Sequence, residues 1–65
     1  MWMVIHMVQG KAAAQRLMQA LTQEGFMVRL HAVYRNREDA QNYFELQVPK
    51  AEAQEARAAL QDKLF

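Results

Sequence analysis

The chain contains no cysteine, no serine, one proline and two glycines in 65 residues. Without cysteine it can build neither a disulfide nor a thiolate zinc site, and it has no thiol nucleophile. Thr22 is the sole hydroxyl amino acid besides the tyrosines, and no base is placed beside it, so no nucleophilic catalytic set is legible. The expectation is a non-enzyme that needs no cofactor. An excess of charge is missing too. Eight basic residues stand against seven acidic ones, for a net charge of +1, which gives no electrostatic ground for nucleic acid or an anionic membrane. The apolar opening, residues 1–8, falls well short of the roughly 20 residues of a spanning helix. No basic residue precedes it and no small-residue cleavage site follows, so a signal peptide is not expected. These absences together fit a cytoplasmic protein.

The length allows one domain, residues 1–65. A chain this small buries only about 60% of the surface its unfolded form exposes. With disulfides excluded, a well-packed core, a partner copy, or both must supply the difference.

What the chain does contain is clear periodicity. Met1-Trp2-Met3-Val4-Ile5-His6-Met7-Val8 is rich in β-formers, apolar at both alternating sets of positions and bounded by Gln9-Gly10. It reads as a strand covered on both faces. Lys11 to Glu24 reads as a helix with its apolar stripe at Ala14, Leu17, Met18 and Leu21, ended by Gly25. Gly10-Lys11 lacks the rest of a phosphate-binding loop, since Ile5 and Ala12 stand where that motif needs Gly and Ser or Thr. Phe26 to Tyr34 alternates, with Phe26, Val28, Leu30, Ala32 and Tyr34 inward and Met27, Arg29, His31 and Val33 outward. A polar connection, Arg35 to Asn42, leads to Tyr43–Val48, where Phe44, Leu46 and Val48 point inward. Pro49 ends that strand, and Lys50 to Leu64 reads as a second helix with an apolar line of Ala53, Ala56, Leu60 and Leu64, and Ala59 beside it.

The second and third strands must form a hairpin in which inward positions oppose inward positions. Pairing Tyr34 with Asn42 satisfies this and sets His31 opposite Glu45; pairing Tyr34 with Phe44 satisfies it equally. With a right-handed crossover between the first two strands, the third fills the space between them, antiparallel to both. The expected fold is α+β: a ferredoxin-like βαββα arrangement lacking its fourth strand, with sheet order 1-3-2 and both helices on one face. The first strand then occupies an open edge where a fourth strand would have paired. A long, apolar, uncharged edge invites pairing with another chain, so the expected partner is a second copy, joined first strand to first strand through residues 1–8 as a homodimer or within a higher oligomer.

Three short patterns run along this framework: Met1-Trp2-x-Val4 at the opening, Glu24-Gly25-Phe26-x-Val28 at the helix-to-strand junction, and Leu46-x-Val48-Pro49 before the last helix. They resemble short bacterial proteins close in pattern to a family described as prokaryotic signal-transducing proteins, whose fold is similar to the nitrogen-regulatory PII proteins. The resemblance spans nearly the whole chain and brings no catalytic signature. It implies a regulatory role with the connection between the second and third strands, residues 35–42, as the partner-contacting loop. That loop is far shorter than in PII proteins and the fourth strand is missing, so nucleotide binding is not implied.

Two surfaces are candidates for contact. In the loop, Arg35 and Arg37 have the guanidinium geometry to hold a phosphate or carboxylate; the plainer reading is a solvated loop in which Glu38 and Asp39 neutralise them. On the sheet face away from the helices, the expected residues are Trp2, Val4 and His6 of the first strand, with Met27, Arg29, His31, Val33, Tyr43, Glu45 and Gln47, leaving Met3, Ile5 and Met7 for the core; Trp2, His6, Arg29, His31, Tyr43 and Glu45 are the candidate contacts among them. His6 is placed outside because it is easier to solvate than to bury. His6, His31 and Glu45 together could ligate zinc, but the preferred reading is an ordinary His–Glu surface contact and no metal site. Trp2 and Tyr43 could stack RNA bases. Against that stand Glu45, the missing basic-glycine-aromatic run and the near-zero net charge. The reading from sequence is a small regulatory or binding module, with a purely structural assembly subunit as the alternative.

Overall fold

In the computed structural model, which describes residues 1–64, the chain runs through β1 (Trp2–Gln9), α1 (Lys11–Gln23), β2 (Arg29–Ala32), β3 (Tyr43–Pro49), one 3-10 turn (Lys50–Glu52) and α2 (Ala53–Leu64). The sheet order is β1-β3-β2, with β3 antiparallel to both neighbours. This is the α+β arrangement expected, a ferredoxin-like fragment without a fourth strand. No helix among the described residues is long and apolar enough to cross a membrane.

β3 is central because its alternation is the cleanest in the chain. Phe44, Leu46 and Val48 are buried, while Tyr43, Glu45 and Gln47 face the other way. Leu46 packs with Leu21 of α1 and Leu60 of α2, and Val48 packs with Ala53 and Ala56 of α2. The alanines let α2 approach the sheet closely, and Ala14 does the same for α1. Leu64, expected to continue the apolar line of α2, is 44% exposed instead. It lies in the last turn, beyond the buried run that ends at Leu60.

The end of α1 follows a recognisable backbone logic. Gly25 adopts φ +98°, a left-handed conformation open to glycine. This turns the chain so that Phe26 N–H donates to Leu21 O and Gly25 N–H donates to Thr22 O. Those two bonds are the Schellman pattern, and Phe26 packs against the cluster that holds Leu21, as the motif requires.

The hairpin takes the register in which Leu30 opposes Leu46, His31 opposes Glu45 and Ala32 opposes Phe44. That is the Tyr34–Asn42 alignment. β2 is shorter than the alternation suggested, four residues rather than nine. At its start, Met27 N–H donates to the Glu52 carboxylate at 2.9 Å instead of to a strand. At its end, Val33 N–H donates to Tyr43 O, and beyond it the Asn42 side chain takes over the pairing. Tyr34 therefore leaves the inward set and is exposed.

β1 departs from a regular strand in one place. Val4 pairs with Gln47 and His6 with Leu46, so Ile5 is an extra residue, a β-bulge in mid-strand. The bulge resets the parity. Met3, Ile5 and Val8 pack into the core, while Val4 and Met7 are exposed.

Candidate functional site

The bulge rewrites the outer face. Met7, assigned to the core from the sequence, is opposite Glu45 and lies outside, and His6 is opposite the core residue Leu46. His6 thus leaves the proposed outer-face set. Strict alternation cannot survive an inserted residue, and both sets of positions are apolar, so hydrophobicity alone does not mark the switch.

The remaining outer-face residues form two zones. In the first, the Arg29 guanidinium lies over the Trp2 ring, 4.2 Å from its centroid. Arg29 Nε donates to Gln47 Oε1 at 2.8 Å, and Gln47 Nε2 donates to Glu45 Oε1 at 3.0 Å. His31 Nδ1 lies 3.3 Å from the same Glu45 oxygen. A chain of contacts therefore spans all three strands, from Trp2 on β1 to Arg29 on β2, then through Gln47 and Glu45 on β3 and back to His31 on β2. Each member already has a protein partner, which fixes the rotamers of long side chains on an exposed surface. The arrangement does not assemble the zinc triad: among the described residues no three His, Cys, Asp or Glu side chains gather to hold a metal, because His6 points to the other face.

The second zone is apolar. Met7, Val33, Tyr34 and Tyr43 line an open depression of about 320 Å³. The two tyrosine rings stand edge to face, with centroids 6.5 Å apart and planes at 69°. Arg37 lies over Tyr34 at 4.1 Å, so the loop meets the sheet face at this end. Tyr43 falls in this zone, two residues along β3 from Glu45 of the first zone.

The loop itself is pinned by Asn42, which is only 2% exposed. Its Oδ1 accepts from Tyr34 N–H at 3.1 Å and Tyr43 N–H at 2.7 Å, while its Nδ2 donates to Tyr34 O at 2.7 Å. Asn42 main-chain groups also bond to Gly10 N–H and Glu38 O. Asp39 does not neutralise the loop arginines as expected. It turns to α1, where its carboxylate lies 3.7 Å from Lys11 Nζ and its carbonyl accepts from Lys11 N–H. Among the described residues neither Arg35 nor Arg37 has an ion-pair partner. The arrangement has the chemistry of a contact surface: Arg37 stacked on a tyrosine that lines an apolar depression, with Arg35 in the same loop. No family model matches the chain, and no curated protein or solved structure matches it either.

Asn42, Met7 and Tyr34 were not among the residues placed on this surface from the sequence, whereas Val33 and Gln47 were. For Asn42 a signal existed, since asparagine next to a strand commonly bonds nearby backbone. Gln47 was visible as an outward position opposite Arg29. For Met7 no signal was present.

Proposed function

We propose that the protein is a small regulatory module of the cytoplasm that acts by binding: it pairs with a second copy through the free edge of β1, and it contacts another protein or a small anion through Arg35 and Arg37 and the adjoining end of the outer face. The observation that carries this reading is the junction of loop and sheet. There Arg37 rests on Tyr34 beside the Met7–Val33–Tyr34–Tyr43 depression, and Asn42 holds the loop in place. Exposed aromatic and arginine side chains on a rigid base are the composition that recurs at binding hot spots. The resemblance to prokaryotic signal-transducing proteins supports the same loop. Arg29, His31 and Glu45 are assigned to holding that face in shape.

The alternative, an assembly subunit whose sole activity is self-association, is favoured by the length of the uncharged β1 edge. Changing Arg35→Ala together with Arg37→Ala separates the two. The proposed function predicts loss of a co-purifying partner with the oligomeric state unchanged in sedimentation. An unchanged set of co-purifying partners would rule out the loop as the contact.

A further inference from the structure

The hydrogen-bonding groups along the free edge of β1 are arranged symmetrically about its bulge. Lys50 N–H donates to Met1 O and Gly10 N–H donates to Asn42 O, both at 2.8 Å, so Met1 and Gly10 face β3. Successive residues of a strand alternate the side to which their main-chain groups point. Counting from Met1, Met3 and Ile5 face β3, and Trp2 and Val4 face the open edge. Counting back from Gly10, Val8 and His6 face β3, and Gln9 and Met7 face the open edge. The two counts meet at Ile5 and His6, consecutive residues that both face inward, which is the bulge. Arg57 Nη2 donates to Val4 O at 3.3 Å, which agrees with that carbonyl lying on the open side.

The open-edge residues are therefore 2, 4, 7 and 9. Read from either end, the spacing is the same. A bulge commonly disrupts an edge and blocks pairing, but one at the centre of the pattern does not block antiparallel pairing with an identical strand. We infer that two copies of this chain join with their two-fold axis passing through the bulge, so that Val4 pairs with the other copy's residue 7 and Trp2 with its residue 9. All four open-edge residues of each strand are then satisfied at once, with two main-chain hydrogen bonds for each pair. The alternative axes satisfy fewer: one through Val8 pairs only residues 7 and 9, and one through Met3 pairs only residues 2 and 4.

The side chains fit the same register. Trp2, Val4, Met7 and Gln9 oppose Pro49, Gln47, Glu45 and Tyr43, so all four lie on the outer face. Val4 and Met7 are 45% and 53% exposed. The pairing sets each against the other across the seam, which covers two exposed apolar side chains per copy and extends the apolar depression toward the two-fold axis. The Arg57 contact gives way, and the carbonyl it held accepts the other copy's main-chain N–H. This inference rests on the proposed β1 seam and specifies its register.

Cysteine cross-linking tests it cleanly, because the chain has none of its own. Chains carrying Val4→Cys and Met7→Cys are mixed and oxidised, with sedimentation of the unmodified chain alongside and circular dichroism to confirm that both variants fold. Facing residues in this register lie within the Cα separation a disulfide spans, roughly 4.4–6.8 Å. The expected result is a dimer in which the mixed pair cross-links at least tenfold faster than either variant with itself. A dimer in which Met7→Cys instead links to Gln9→Cys, or Trp2→Cys to Val4→Cys, overturns the register and leaves the seam standing. A monomer at micromolar concentration overturns both.

Discussion

At one edge of the sheet β2 offers four residues, carries the charge of Arg29, and leads at once into a polar loop tied down by Asn42. At the other edge β1 offers eight residues with no Lys, Arg, Asp or Glu among them. A short, charged, terminated edge is how proteins discourage unwanted strand pairing. β2 has these features and β1 has none of them, apart from a bulge whose central position leaves the pattern symmetric. A chain too small to bury much surface alone has one edge closed in this way, and the other is the edge where the proposed pairing with a second copy would bury more.

The largest effect should come from removing what closes the β2 side. Asn42→Ala leaves Tyr34 N–H, Tyr34 O and Tyr43 N–H without their partner. At about 1 kcal/mol net for each bond, stability should fall by roughly 3 kcal/mol in urea unfolding. Dimerisation through β1 should persist at concentrations where the variant is folded. Next in size is a proline at each edge, where the open-side N–H is not needed by the monomer. Met7→Pro removes a donor from both halves of the seam and should weaken the dimer by about 2 kcal/mol, roughly thirtyfold in Kd. Ala32→Pro makes the same change on the open side of β2 and should leave association unchanged; equal effects at the two edges would erase the contrast. Val4→Glu should weaken the dimer about tenfold, and adding Met7→Lys should recover most of that through a cross-strand ion pair. Arg29→Ala should have the smallest effect. Losing the cation–π contact over Trp2 costs about 0.5–1 kcal/mol, read as a shift in tryptophan fluorescence and a slight loss of thermal stability, with no change in association.

Much of the fold was legible because β3 and the two helices keep strict periods. Phe44, Leu46 and Val48 alternate without exception, and parity alone reduced the hairpin to two registers, one of which is present. What chose between them was Asn42, whose side chain bonds both ends of the loop. A polar connection in sequence does not reveal which of its residues is buried. β1 was the least legible element. Its bulge carries no glycine or other marker, and Met3, Val4, Ile5, Met7 and Val8 are apolar on either side of it. The exchange of His6 and Met7 between faces could therefore be read from the register alone. The outer-face pairing of His31 with Glu45 followed from parity, whereas the position of Met7 beside Tyr43 depended on the bulge.

The most direct test of the β1 seam is amide hydrogen exchange on the unmodified chain over a range of protein concentrations. The amides of Trp2, Val4, Met7 and Gln9 are expected to become protected together as concentration rises, while those of Leu30 and Ala32 on the open side of β2 do not change. Exchange at those four positions that is independent of concentration, or protection that develops on β2 instead, would contradict the seam.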